Sequence, residues 1–216
     1  MKTIELMIFD LDGTLVDSGT DLAASVNHTL TALGRSPLSK EEILSHVGDG
    51  VRRLMERSLG ENGTSLKERA LPLFLDYYGE HLLDTTRPFP GVTEVLEHFA
   101  AVKKVVLTNK MERFSVRIVE TLGLARYFEG VYGIDSLPYV KPDPRLIAYH
   151  LETYGARRDR TVVVGDGVND VRLARGGGVM SCALLNGIED RRRLLELGPD
   201  FTCEDIRELT ALFSPP

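Results

Sequence analysis

The chain has 216 residues with 26 Lys and Arg against 32 Asp and Glu, a formal net charge of −6, and a pI near 5.4, which argues against a nucleic-acid or polyanionic membrane surface as its main partner. Its length exceeds one average domain and falls short of two large ones, so a core with a modest insertion is expected. Cys182 and Cys203 are too few for a disulfide scaffold and lack metal-ligand spacing; with no basic leader, long apolar span, lipidation motif or internal repeat in view, they read as buried or reduced thiols of a cytoplasmic protein.

The first predicted element is an apolar strand, Ile4-Glu5-Leu6-Met7-Ile8-Phe9, that delivers Asp10 and Asp12 into a Gly13-Thr14 turn. Residues i and i+2 of an extended chain point the same way, so both acids face one pocket at the strand's C-terminal edge, where open α/β sheets bind ligands. Two carboxylates this close repel unless a cation joins them or one takes a proton. The pair therefore predicts either a divalent metal or divided acid and nucleophile roles.

Next in the chain, Leu22, Val26, Leu30 and Leu33 share one helical face. Ser39-Lys40-Glu41-Glu42 and Ser65-Leu66-Lys67-Glu68 both match the capping-box pattern of a helix start. The stretch from about Ser18 to Arg87 carries no convincing strand, and residues 18–86 read as a small all-α insertion. It returns through Thr85-Thr86-Arg87-Pro88-Phe89-Pro90-Gly91, a connector stiffened by its prolines. A helical lobe inserted directly after the paired acids would hang over their pocket and close on a substrate.

Beyond the insertion, Val92, Val95, Leu96 and Phe99 form another helical face, and β-branched runs recur at Val105 to Leu107, Val131 to Gly133, Thr161 to Val164 and Val179 to Leu185. Asp143-Pro144 reads as an N-cap followed by a first-turn proline. The alternation predicts an α/β fold, a Rossmann-like parallel sheet with helices on both faces, built from residues 1–17 and 87–216.

Three more motifs fall where these strands end. Leu107-Thr108-Asn109-Lys110 offers a hydroxyl and free backbone N–H groups, suited to a phosphate or equally to a helix N-cap. Val140-Lys141-Pro142-Asp143-Pro144 places a cation before a proline-fixed turn, where a solvated surface lysine is the alternative. Val164-Gly165-Asp166-Gly167-Val168-Asn169-Asp170 ends a strand with two acids four positions apart, hard oxygen donors suited to Mg²⁺ or, alternatively, an Asp-Gly turn with Asp170 favouring the helix dipole.

In this order and at these strand ends, the four motifs resemble the haloacid dehalogenase superfamily over essentially the whole chain. The insertion is similar to the helical cap of its branch containing phosphoglycolate phosphatases, as are the strings Asp17-Ser18, His46-Val47-Gly48-Asp49-Gly50-Val51, Tyr77-Tyr78-Gly79, Thr108-Asn109-Lys110 and Leu122-Gly123-Leu124. The resemblance implies an Mg²⁺-dependent phosphatase with Asp10 as nucleophile and Asp12 as general acid and base. It implies Thr108, Asn109 and Lys141 as the grip on the phosphoryl group, and Asp10, the Asp12 carbonyl, Asp166 and Asp170 as metal ligands. Gly48, Asp49 and Gly50 permit close backbone approach to a small phosphorylated metabolite, 2-phosphoglycolate ahead of sugar phosphates, whose carboxylate Arg52 or Arg53 would meet, with a solvated helix face as the alternative for both arginines. A monomer or homodimer is expected.

Within the superfamily, a dehalogenase is disfavoured by the acid at Asp12, and a hexose-phosphate mutase resembling β-phosphoglucomutase is the closer rival. A non-enzymatic phosphate-binding protein has no need for Asp12. Some positions depart from the branch's pattern: Met111, Gly167, and Gly176-Gly177-Gly178, the last of which predicts a loose turn before the last strand.

Overall fold

The computed structural model describes residues 1–216, apart from the side chains of Asn62 and Thr64. In chain order, β1 (Lys2–Thr3), β2 (Leu6–Phe9) and β3 (Val16–Asp17) are followed by α1 (Gly19–Ala32), α2 (Lys40–Leu44), α3 (Val51–Leu59) and α4 (Lys67–His81). Strand β4 (Arg87–Pro88) then returns antiparallel to β3. From there helices and strands alternate: α5 (Val92–His98), β5 (Lys103–Leu107), α6 (Glu112–Thr121), β6 (Gly130–Tyr132), α7 (Arg145–Tyr154), β7 (Thr161–Gly165), α8 (Val168–Gly177), β8 (Met180–Leu184), α9 (Arg191–Glu196), β9 (Phe201–Cys203), α10 (Leu209–Leu212) and β10 (Phe213–Ser214).

The main sheet has six parallel strands in the order β6-β5-β2-β7-β8-β9. Strand β2 is buried at every position because both its faces are covered, which is why it reads as an unbroken apolar run. Its residues alternate between two cores: Leu6 and Ile8 pack with Leu146, Ile147 and Leu173, while Met7 and Phe9 pack with Val95, Leu96, Phe99 and Ile118. Each of these side chains contributes about 1.5–3 kcal/mol by leaving water. The chain winds from β2 outward through β5 and β6, then crosses back to β7, β8 and β9. Strand β2 thus sits where the winding reverses, and its C-terminal end opens into the crevice such sheets use for ligands.

Several local expectations meet a different outcome. Ser39 caps α2 by accepting from the Glu42 N–H, but Ser65 lies inside a 3₁₀ segment, Glu61–Leu66, that runs directly into α4. Its backbone is already helical, so the extended N-cap geometry is absent there. Pro144, and not Asp143, stands at the N-cap of α7, with Asp143 one position earlier; the Asp143 carboxylate still accepts from the Arg145 N–H of the first helical residue. The glycine triplet is not a loose turn. Helix α8 continues through Gly176 and Gly177, and only Gly178 turns left-handed, at φ 65°. A Cβ on Gly177 would come within 2.4 Å of Ile147 Cγ1, so the triplet lets α8 lie close against α7. Strand β9 and the short β1–β10 pair were not anticipated; three- and two-residue strands are too short to show a period.

Candidate active site

Asp10 follows β2 directly, and its Oδ1 accepts from the Leu11 N–H at 2.7 Å, which fixes the carboxylate at the sheet edge. Lys141 reaches the same oxygen, with Nζ 2.9 Å away, and donates to Asp170 Oδ1 at 2.7 Å. Its side chain is 3% exposed. Burial alone would lower the lysine's pKa, but the Asp10 and Asp170 carboxylates outweigh it and hold the ammonium charged, above its ordinary range. Lys141 is therefore a buried member of the acidic cluster and not a solvated surface residue.

Asp166 ends β7 and is locked from three sides: Thr14 Oγ1 donates to Oδ1 at 2.6 Å, the Ile188 N–H donates to Oδ2 at 2.7 Å, and its own N–H donates to Thr14 Oγ1. Gly13, at φ 82°, passes so close that a Cβ there would fall 2.1 Å from Asp166 Oδ2. Asp170 lies in the first turn of α8, and its Oδ2 accepts from the Gly167 N–H at 3.0 Å. The carboxyl pKa values of Asp166 and Asp170 are pushed up, first by burial and then by neighbouring carboxylate charge, against which Lys141 works at Asp170.

Oxygens of Asp10, Asp166 and Asp170 lie within 4.8 Å of one another. Three hard donors in that space, two of them buried beside only one cation, fit a divalent ion of the Mg²⁺ class, whose octahedral site needs oxygens at about 2.1 Å. The fit lies in the donor set: desolvated carboxylates that repel one another are relieved by a cation.

Asp12 occupies the neighbouring position, but its carboxylate is spoken for. Lys110 Nζ lies 2.8 Å from both Oδ1 and Oδ2, and Ser18 Oγ donates to Oδ1. Thr108 is buried at the end of β5, its Oγ1 accepting from the Lys110 N–H at 3.2 Å. The Asn109 side chain faces the insertion: its Nδ2 donates to the Gly48 carbonyl at 2.9 Å, and its Oδ1 accepts from the Lys141 N–H.

The loop before α3 is thereby clasped onto the core. Asn169 Nδ2 also reaches the Gly48 carbonyl and Asp49 Oδ1, at 3.2 and 2.8 Å, and Asp49 is paired with Arg57. Gly50, at φ 84°, backs onto Ile134 and the Asn109 carbonyl. Residues from the core and the insertion together line a cavity of about 990 Å³ that contains Asp10, Asp12, Thr108, Lys141, Asp166 and Asp170.

Arg52 does not line that cavity, although Gly50, Val51 and Leu54 beside it do. Helix α3 turns Leu54, Met55, Ser58 and Leu59 inward, which carries Arg52 and Arg53 to solvent; Arg53 pairs with Glu56. Lys110, Ser18 and Asn169 were not singled out from the sequence. Their only signal was membership in the motif strings themselves; the partners of Lys110 and Asn169 lie 98 and 120 residues away, whereas Ser18 reaches Asp12 across 6. Among the described residues, no helix is long and apolar enough to cross a membrane.

A sequence profile of haloacid dehalogenase-like hydrolases matches residues 7–184. Phosphoglycolate phosphatases of Agrobacterium fabrum and Chromobacterium violaceum are 38% and 39% identical to the chain, over 96% and 97% of it and 92% and 96% of their own lengths. A solved structure of a predicted phosphoglycolate phosphatase from Haemophilus somnus superimposes with a TM-score of 0.91 at 28% identity, covering 98% of this chain and 99% of that one.

Proposed function

The chain belongs to the haloacid dehalogenase-like hydrolase family, and from that premise we propose that it hydrolyses a small phosphomonoester, 2-phosphoglycolate first, through a phosphorylated Asp10 with Mg²⁺ as cofactor. The observation that carries the reading is the Asp10 carboxylate held by Lys141 beside Asp166 and Asp170, with Asp12 one short turn away. The insertion, residues 18–86, is read as the cap that covers this centre.

In the first displacement, an Asp10 carboxylate oxygen attacks phosphorus while the bond to the substrate's bridging oxygen breaks, and Asp12 gives its proton to the leaving glycolate oxygen. In the second, Asp12 takes a proton from water as the water oxygen attacks the same phosphorus. The bond to Asp10 breaks, inorganic phosphate leaves, and both carboxyl groups are restored. Lys141 and the Thr108 hydroxyl hold the phosphoryl oxygens where negative charge spreads, with the Asn109 N–H in support. Mg²⁺, held by Asp10, Asp166 and the Asp12 carbonyl with Asp170 in support, would neutralise the repulsion between the nucleophile and those oxygens. The clasp of Asn109 and Asn169 on Gly48 and Asp49 holds the loop before α3 against the core, where it would limit the entry of water.

A cavity of about 990 Å³ is larger than a two-carbon ester requires, and this size supports a second reading as a broad-range sugar-phosphate phosphatase. The deciding experiment is phosphate release from a panel of 2-phosphoglycolate, sugar phosphates, nucleoside monophosphates and p-nitrophenyl phosphate, with Mg²⁺ and after chelation. Metal-dependent release led by 2-phosphoglycolate is expected, with Asp10→Asn lowering turnover by roughly 10³-fold or more while the fold persists. Full activity after chelation, checked by elemental analysis, refutes the metal role. Near-native activity of Asp10→Asn, with deamidation excluded by mass spectrometry, refutes the nucleophile.

A further inference from the structure

Six cations besides Lys141 border the cavity or were expected to, and they divide by burial and by what they already hold. Arg172 lines the cavity from an exposed position on α8. Arg52 and Arg53 face solvent on α3. Arg57 is engaged by Asp49 and by the His46 carbonyl, and Arg193 is an exposed rim residue paired with Glu189. Lys110 is different: it lines the cavity with a side chain only 7% exposed, and it touches Asp12.

An ammonium group carries three N–H donors. Two are directed at Asp12, with Nζ 2.8 Å from each oxygen. Tyr78, from α4 of the insertion, covers the ammonium, whose Nζ lies 4.9 Å from the ring centroid. Tyr78 is 1% exposed and lines the same cavity, yet its hydroxyl has no hydrogen-bond partner among the described residues. A buried phenol without an acceptor is unfavourable, so an acceptor supplied by a ligand at this place would be favoured. An ammonium and, beside it, a phenol whose O–H has no acceptor among the described residues together suit a carboxylate.

We infer that Lys110 and the Tyr78 hydroxyl form the subsite for the substrate's carboxylate, and so select a phosphoester with an acid group one carbon from the bridging oxygen. This rests on Asp12 serving the leaving oxygen, as in the function proposed above. A group hydrogen-bonded to Asp12 then lies within two hydrogen-bond lengths, about 5–6 Å, of that oxygen. In a two-carbon substrate only a methylene separates the bridging oxygen from the carboxyl carbon, so its carboxylate falls inside this radius. A longer leaving group, or one with no acceptor at this place, leaves the Tyr78 hydroxyl unpartnered, and a neutral acceptor gives it a weaker bond than a carboxylate does. The subsite also spans both parts of the chain, Lys110 from the core and Tyr78 from the insertion, so the bound carboxylate would hold the insertion down over the reacting centre.

The test compares kcat/KM for 2-phosphoglycolate with that for its neutral amide, 2-phosphoglycolamide, which has the same shape and the same phosphate. In the wild type the acid is expected to be favoured by about 100-fold or more, the range of charge-assisted hydrogen bonds combined with a neutral one. Lys110→Met should cut that ratio by at least about 10-fold, and Tyr78→Phe, which removes one oxygen and keeps the ring, by roughly 3- to 10-fold. The ratio is the readout because Lys110→Met will also slow both substrates through Asp12. If Lys110→Met does not fold, Lys110→Gln and Tyr78→Phe decide. Equal losses on acid and amide, leaving the ratio at its wild-type value in the variants, overturn the subsite and leave the proposed substrate standing. A wild type that hydrolyses the amide as well as the acid overturns the subsite and the 2-phosphoglycolate assignment together, while metal-dependent release from either ester leaves the phosphatase reading intact.

Discussion

Replacing Asp21 by Ala should part the two ends of the insertion, where it leaves and rejoins the core, and destabilise the protein by about 3 kcal/mol. Asp21 stands in the first turn of α1, 3% exposed, and receives the returning connector through both threonines. Thr86 donates its N–H at 2.8 Å and its hydroxyl at 2.7 Å to Oδ2, and Thr85 donates its N–H and a 2.6 Å hydroxyl bond. The two partners lose different amounts. Thr85 is exposed, and its donors find water when the carboxylate goes. Thr86 is 0% exposed, so its two donors are left in a dry site at about 1–3 kcal/mol each, partly relieved by whatever water enters the hole. Asp21→Asn keeps one acceptor oxygen and should cost about half as much. Burial alone would raise the Asp21 pKa, yet the Thr85 and Thr86 donors outweigh it and hold the carboxyl below its usual range. The sign follows: the stabilisation is present above the ordinary aspartate pKa and is lost as pH falls through the lower, folded value. Urea unfolding at pH 7 of wild type, Asp21→Ala and Asp21→Asn measures the effect, with the difference narrowing in acid. An Ala variant within about 0.5 kcal/mol of wild type would show that water serves Thr86 as well as Asp21 does, and the reasoning would fail.

Gly177→Ala should lower stability by about 1–2 kcal/mol, because its Cβ meets the branch point of Ile147, within 2.6 Å of that Cβ, and overpacking outweighs the roughly 1 kcal/mol of helix propensity gained. A thermal melt showing stabilisation would mean that α7 and α8 can part freely. His150 is fully buried with neither ring nitrogen partnered, and burial lowers its pKa from 6.5 to about 4. The folded state thus prefers the neutral ring. Stability is untouched above pH 6.5 and declines as the unfolded chain takes up the proton, reaching about 3 kcal/mol of loss near pH 4. His150→Leu should remove that slope between pH 6.5 and 4, and parallel unfolding profiles for variant and wild type would refute it.

Local order along the chain was enough to read the strand that carries Asp10 and Asp12, the strand end at Asp166, and the helical character of the stretch after Ser18. Each rests on periodicity or on a turn residue within a few positions, which is the range over which backbone geometry is set by neighbours in sequence. The same reasoning missed where it treated a short pattern as self-sufficient. Ser65 has the spacing of a helix cap, but preceding residues had already begun a 3₁₀ turn. Gly176, Gly177 and Gly178 look permissive in sequence, yet the first two are helical because Ile147 demands closeness there. For Arg52 the chemistry left a substrate contact and a solvated helix face both open, and the apolar face of α3 leaves the residue exposed.

What the sequence determined by itself is the inventory of charged groups at the sheet's C-terminal edge and the parallel α/β frame that presents them. What only the tertiary structure decided is their pairing: Lys110 with Asp12 across 98 residues, Asn169 with Asp49 across 120, Asp21 with Thr85 across 64, and the bare Tyr78 hydroxyl beside Lys110. A motif states which donors and acceptors exist. Which of them meet depends on how the helical insertion folds back over the sheet, and that is set by the burial of Leu22, Leu54, Phe74 and Tyr78 in a core continuous with Phe9 and Phe114. Apolar burial is non-directional, so no local pattern encodes the partner that a polar side chain finds at the end of it.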